Sequence, residues 1–245
     1  MKKTRHALIT GGTKGLGFAV SEVLLAAGFD VTLTFGSDAG RAEEVRAGLM
    51  EKFPGTRVTV LRADVTDLAS ISVITEYLRD HDVCLDAVIL NAGLTSRGSF
   101  EDLQVDDWNR VLTANLTYPT FLLQALLPLI NEGGSVTFTG SLMGILPHSM
   151  SLSYGVTKAA THALVQNLVK TLSPRSIRVN AVAPGFVDTE WQKTKPAAIR
   201  ESINSKISLG RFAEPSEIAQ IYLTLVENPY LTGEVIRIDG GYSYR

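Results

Sequence analysis

The chain has 245 residues, 45% apolar and 20% charged, with a net charge of −2. That is enough apolar material for one sizeable core, and the near-neutral balance excludes a general binder of nucleic acid or anionic membrane. One cysteine, Cys84, excludes an intrachain disulfide and fits a reducing compartment.

Elements alternate along the chain. His6 to Thr10 reads as a first strand, followed by a Gly-rich turn and a helix from Phe18 to Ala27 that ends at Gly28. Val31 to Phe35 is a second strand, and residues 40 to 52, with alternating charge, form a solvated helix. Val58 to Leu61 is a third strand. Asp67 is expected to N-cap the next helix. Cys84 stands at the entrance of a fourth strand, Leu85 to Leu90, and reads as a small core residue. Residues 103 to 130 form one or two helices, interrupted or ended by Pro119 and Pro128. Ser135 to Thr139 is a fifth strand, residues 152 to 172 a long helix ended by Pro174, and Ile177 to Val182 a sixth strand. After a less regular stretch, a helix starts near Pro215, and Val235 to Ile238 is the last strand.

Apolar strands alternating with helices predict an α/β fold with a doubly wound, parallel, seven-stranded sheet and helices on both faces. No linker, repeat or low-complexity run interrupts it, so residues 1–245 read as one domain. His6, His81, His148 and His162 lack ligand spacing, and no metal site is expected. No apolar run reaches the roughly 18 residues of a membrane span. The apolar stretch after MKKTRH is too short for a secretion signal. The expected address is cytoplasmic, with neither membrane nor nucleic acid as partner.

The first strand runs into Thr10-Gly11-Gly12-Thr13-Lys14-Gly15-Leu16-Gly17 and then a helix. Such glycines let backbone N–H groups approach a pyrophosphate at a helix N-terminus. Asn91-Ala92-Gly93 follows the fourth strand, Asn115 lies in a helix, and Ser141 follows the fifth strand. Tyr154-Gly155-Val156-Thr157-Lys158 comes thirteen residues after Ser141, Pro184-Gly185 follows the sixth strand, and Asp239-Gly240-Gly241 ends the last. In open parallel sheets the ligand crevice lies at these C-terminal strand ends.

Taken together and in this order, these motifs resemble the short-chain dehydrogenase/reductase family over essentially the whole chain, with the nearest likeness to 3-oxoacyl-carrier-protein reductases and related ketoreductases. The resemblance implies a Rossmann-type domain. It implies a coenzyme held by Gly11, Thr13, Lys14, Gly15, Leu16 and Gly17, by Asp64 and Val65 at the adenine, and by Asn91, Ala92 and Gly93. Tyr154, Lys158, Pro184, Gly185, Val187 and Thr189 complete that set. The same resemblance makes Asn115, Ser141, Tyr154 and Lys158 the catalytic residues, with Asn115 holding a water that links Lys158 to solvent. Residues 187–210 resemble the family's lid, and a homotetramer is the expected assembly.

The chemistry can also be read from the residues. Tyr154 and Lys158, four apart, share a helix face. An ammonium beside a phenol, together with a cationic nicotinamide in the oxidised complex, favours the phenolate and is expected to lower its pKa. In reduction Tyr154 gives a proton to a carbonyl oxygen that Ser141 hydrogen-bonds. His162, about 12 Å further up the helix, is too far for direct proton transfer and reads as a packing or interface residue.

The second strand ends in Phe35-Gly36-Ser37, with no carboxylate until Asp38. An acidic residue at this place would accept from a ribose 2′-OH. Lys14 and Ser37 instead suit a 2′-phosphate, so NADP(H) is preferred and NAD(H) stays open. Met143, Ile145, His148, Phe186 and Trp191 form an apolar or modestly polar substrate wall, suited to a small-molecule or acyl-thioester carbonyl. Family reductases for carrier proteins often have a basic cluster before the fifth strand; here Leu129 to Gly134 carries Glu132, which weakens that docking and leaves Arg175 and Arg178 as candidate docking charges. The expected activity is NADPH-dependent reduction of a ketone or 3-oxoacyl carbonyl. The alternatives are an alcohol, sugar or steroid dehydrogenase of the same family, a non-catalytic NADP-binding regulator, or a structural subunit.

Overall fold

The computed structural model describes residues 4–147, 151–193 and 195–244. Seven strands form one sheet: β1 (Arg5–Ile9), β2 (Phe29–Phe35), β3 (Val58–Arg62), β4 (Leu85–Leu90), β5 (Ile130–Thr139), β6 (Arg178–Pro184) and β7 (Val235–Ile238). Their order is β3-β2-β1-β4-β5-β6-β7, and every ladder is parallel. The order reverses between β1 and β4, which opens a crevice at the C-terminal strand ends.

Period-two alternation feeds both faces. Ala7 and Ile9 of β1 and Ala87 and Ile89 of β4 join one core, packed on α1 (Gly15–Ala26) and α9 (Pro215–Glu227). Leu8, Val88 and Leu90 join the other, against α3 (Ser70–Asp80), α5 (Tyr118–Leu126) and α6 (Leu152–Leu172). The remaining helices are α2 (Ala39–Lys52), α4 (Val105–Leu112), α7 (Glu190–Lys193) and α8 (Ala197–Asn204). No described helix is long and apolar enough to cross a membrane.

Gly28 has φ +81 and ends α1 as its sequence position predicts. Three local expectations change. Cys84 is exposed, because it precedes the buried strand and lies outside it. Asp67 does not cap α3, which begins three residues later. Its carboxylate instead accepts from Ala69 N at 3.0 Å and its carbonyl from Ser70 N at 3.1 Å, closing a turn. β5 begins at Ile130, five residues early, through a register irregularity against β4 that Asn131 bridges to Asp86 at 2.8 Å.

Candidate active site

The turn after β1 is built for close backbone approach. Gly11 has φ +65, and a Cβ on Gly17 would stand 2.2 Å from the Gly11 carbonyl oxygen and 2.6 Å from Asn91 Nδ2. Phe18 N donates to Lys14 O at 3.1 Å as the first helical bond of α1, so the N–H groups of Gly15, Leu16 and Gly17 have no acceptor inside the helix. Lys14 is the N-cap, yet its side chain caps nothing. Exposed N–H groups, glycines with no room for a side chain and a nearby cation fit a pyrophosphate. Thr189 lies over this turn, its Cγ2 about 3.4 Å from where a Gly15 Cβ would be.

Asn91 and Thr10 lock the turn to the sheet. The Thr10 hydroxyl accepts from Asn91 N at 2.9 Å and Ala92 N at 3.0 Å, and Asn91 Nδ2 donates to Thr10 O at 3.1 Å. Thr139, the last residue of β5, donates to Asn91 Oδ1 at 3.3 Å. These bonds tie β1, β4 and β5 together at their C-terminal ends.

Asn115 sits in a five-residue π-helical turn, Thr113–Thr117, between α4 and α5. Pro119 is the cause that can be named. It has no N–H to give the carbonyl four residues back, which is that of Asn115. The Asn115 side chain accepts from Leu94 N at 2.7 Å and donates to Leu94 O at 2.9 Å and Thr157 Oγ1 at 3.0 Å. It therefore clamps the loop after β4 to α6. A Cβ on Gly93 would meet Asn115 Oδ1 at 2.9 Å and Lys158 Nζ at 3.8 Å, which puts Gly93 between the two.

Ser141 follows β5. Its hydroxyl oxygen accepts from Met143 N at 3.1 Å, which leaves its own proton to donate. On α6, Lys158 is 4% exposed, donates to Thr139 O at 2.6 Å, and holds its ammonium 5.5 Å from the Tyr154 ring centre. Burial raises the Tyr154 pKa, with the Ser141 hydroxyl pulling the other way. Burial lowers that of Lys158 to about 8. Both groups lie in one desolvated pocket, which penalises each charged form. Tyr154 holds its proton at neutral pH, the state required of a donor.

Trp191 of α7 meets Tyr154 edge-on, ring centres 6.0 Å apart, so the segment after β6 reaches over the phenol. Its base is fixed where Val187 bridges Ala213. The pieces bracketing this site match, over residues 11–243, the family described as "Enoyl-(Acyl carrier protein) reductase".

The chain belongs to the short-chain dehydrogenase/reductase family, and it is an oxidoreductase of carbonyl or hydroxyl groups. It is 34% identical to a 3-oxoacyl-[acyl-carrier-protein] reductase of Thermotoga maritima, with 96% of each chain covered. It is 30% identical to a 3alpha-hydroxysteroid dehydrogenase of Mediterraneibacter gnavus, over 98% of this chain and 97% of the other. Among solved structures, a Burkholderia cenocepacia short chain dehydrogenase in complex with NADP superposes with a TM-score of 0.91 at 30% identity, covering 98% of both chains.

Within this short-chain dehydrogenase/reductase site, other expected residues fall as follows. Gly185 packs so tightly on Asp239 that a Cβ would stand 2.9 Å from its Cα. Asp64 accepts from Thr66 N at 2.9 Å and Thr66 Oγ1 at 2.8 Å, and Val65 is half-buried beside it. Thr13 and Pro184 are buried, while Lys14 at the head of α1 and Ser37 beyond the end of β2 are exposed. Met143 is half-buried and Ile145 exposed. Phe186 packs with Phe212 and Tyr242, centres 5.5 and 5.2 Å apart, lining a cavity of about 120 Å³ with Ile207 and Leu209. His148 lies outside the described residues. No cluster suited to a metal occurs among those described.

Two expectations are corrected. Arg175 donates to Leu127 O and Ile130 O, and Arg178 to Leu225 O and Val226 O, so both cap carbonyls and are not docking charges at the mouth. They and Glu132 lie at the N-terminal ends of β5 and β6, roughly 20 Å along the strands from Ser141. The acidic stretch therefore says nothing about the mouth. His162 is 8% exposed within a single chain, which makes it a packing residue and excludes the interface reading. Thr10, Thr139, Thr157 and the Arg41–Glu190 pair escaped sequence reading, since nothing in their spacing predicts these partners.

Proposed function

We propose that this chain is an NADPH-dependent reductase of a ketone or 3-oxoacyl carbonyl. The observation that carries the reading is the convergence of the Tyr154 phenol, the Ser141 hydroxyl and the Lys158 ammonium beside the open N-terminus of α1. Gly11 to Gly17 would hold the pyrophosphate, Lys14 and Ser37 a 2′-phosphate, Asp64 and Val65 the adenine, and Lys158 the nicotinamide ribose. When bound, the coenzyme supplies the hydride.

The protein supplies the rest. Ser141 donates a hydrogen bond to the carbonyl oxygen, and Tyr154 delivers its proton there as negative charge develops. Lys158 stabilises the phenolate left behind, and Asn115 fixes the loop and helix that frame Lys158. Trp191, Met143 and Ile145 present an apolar wall, and residues 187–210 serve as the lid. The NADP complex of the Burkholderia relative and the 3-oxoacyl reductase of Thermotoga support the coenzyme and the carbonyl class. The steroid dehydrogenase of Mediterraneibacter supports the alternative, a bulky alicyclic alcohol or ketone. Exposed Phe121 on α5 and Tyr244 beside the edge strand β7 support a homotetramer.

The test is NADPH oxidation against acyl thioesters, quinones, sugars and steroid ketones. Turnover of a 3-oxoacyl thioester supports the reading. Turnover confined to steroid ketones selects the alternative, and NADPH binding with no turnover on any carbonyl would favour the non-catalytic regulator.

A further inference from the structure

His162 stands one turn beyond Lys158 and two beyond Tyr154 on α6, with its ring pointed under the segment that carries Ser141. A Cβ on Gly140 would lie 2.2 Å from its Nε2, and a Cβ on Gly144 would lie 2.8 Å from its Cε1. The imidazole therefore fills the space beside Gly140, and at Gly144 it shares the close contact with the α6 backbone, Lys158 C at 2.6 Å and Ala159 N at 2.7 Å. The backbone shows why a ring is needed there. Gly140 N still donates to Val182 O on β6, at 2.7 Å. The next N–H, that of Ser141, has left the sheet and is buried, and an unpaired buried N–H is costly. It donates to His162 Nε2 at 3.3 Å.

An N–H can only donate, so Nε2 carries no proton and the ring is the neutral Nδ1–H tautomer. The Lys158 ammonium on the same helix face also opposes a charged ring. The Gly140–Gly144 segment carries no titratable group.

We propose that His162 is a positioning residue: its neutral ring accepts the Ser141 N–H, braces the Gly140–Gly144 turn and so holds the Ser141 hydroxyl where the substrate carbonyl oxygen is bound. The inference rests on the role proposed above for Ser141. Ser141 is held by four local bonds: its own N–H donates to His162, its hydroxyl accepts from Met143 N and meets the Tyr154 phenol, and its carbonyl accepts from Gly144 N at 3.0 Å; of these the first alone ties its backbone to α6. Losing the first frees the residue whose placement governs turnover, and small misplacements at a reacting centre are costly.

The test compares wild type, His162→Met, His162→Gln and Ser141→Ala at a temperature where all give the folded circular dichroism spectrum. Methionine fills similar space with only a weakly accepting thioether, while the glutamine Oε1 is a strong acceptor that reaches about the place of Nε2. With NADPH and the best substrate of the carbonyl panel, His162→Met should lose at least about tenfold in kcat, with KM for NADPH changed less than about twofold. His162→Gln should recover to within about threefold of wild type. Wild-type kcat in His162→Met, or an equal loss in His162→Gln, would overturn the proposal. Imidazole 15N shifts in the free protein test the hydrogen bond without turnover: an unprotonated Nε2 is expected, and a protonated Nε2 would overturn it. Wild-type turnover in Ser141→Ala would remove the role of Ser141 and the positioning role with it, whatever the 15N shifts show of the bond itself.

Discussion

Arg41 and Glu190 form a bidentate ion pair, Nη1 to Oε2 at 3.1 Å and Nη2 to Oε1 at 2.9 Å, between the first turn of α2 and the start of α7. The pair joins the end of β2, where the coenzyme phosphate is proposed to lie, to the segment over Tyr154. Both side chains are well exposed, so it contributes little stability. Its carboxylate occupies Arg41, and the charge of Lys14 acts on it too. Glu190→Gln should release both cations to the 2′-phosphate and lower KM for NADPH about two- to fivefold, leaving NADH use unchanged. Steady-state kinetics at low and high salt check this. An unchanged KM for NADPH would show that Arg41 does not reach the phosphate.

Tyr154→Phe removes the proposed proton donor and keeps the ring that meets Trp191. Turnover should fall by at least about a thousandfold while NADPH affinity stays within about twofold. Ser141→Ala should lose about a hundredfold in kcat. Fluorescence titration with NADPH alongside single-turnover rates separates binding from chemistry. A Tyr154→Phe enzyme with a tenth of the wild-type rate would sink the assigned mechanism.

In the proposed function, coenzyme choice depends on Lys14 and Ser37, both exposed. A hydrogen bond with a charged partner contributes roughly 1.5–3 kcal/mol, so NADPH should exceed NADH by at least about tenfold in kcat/KM. Asp38 caps α2 through Oδ1, which accepts from Arg41 N at 3.0 Å. Lys14→Ala and Ser37→Asp should each weaken NADPH use far more than NADH use. Equal losses with both coenzymes would reduce Lys14 to a solvated loop residue.

Gly17→Ala should be damaging out of proportion to one methyl group. The new Cβ would meet a backbone carbonyl and Asn91 at 2.2 and 2.6 Å, and neither can retreat without opening the β1–β4 junction. A loss of about 1–3 kcal/mol in stability is expected, with coenzyme affinity falling further still. Thermal melts with and without NADPH measure both. A wild-type melting temperature would show that the turn can yield.

His162 also sets a pH dependence. Burial, and then the charge of Lys158, lower its pKa from 6.5 to about 4. A depressed folded-state value means the unfolded chain takes up the proton first. Stability is therefore full above about pH 6.5 and declines as pH falls to about 4, a loss of about 3 kcal/mol. His162→Gln should flatten that part of the melting curve against pH. A parallel curve in the variant would assign the acid sensitivity to other groups.

The sequence by itself determined the alternation of strands and helices, the parallel sheet, and the placing of the candidate site residues at the strand ends. These are local properties: apolar period, Gly-rich turns, and Tyr154 and Lys158 four apart on one helix. It placed Cys84 in the core because the residue adjoins an apolar strand, though burial begins only with the strand itself at Leu85, and it placed Asp67 at a helix cap because nothing local fixes a helix boundary to within three residues. It set Arg175 and Arg178 at the mouth because charge can be read from a sequence and position along the sheet cannot. What only the tertiary structure decided is what two distant segments do to each other. Desolvation sets the pKa directions of Tyr154 and Lys158, since burial depends on everything packed around a group. The ring of His162 came to rest beneath Ser141, 21 residues away in sequence, because β5 delivers one and α6 the other to the same end of the sheet.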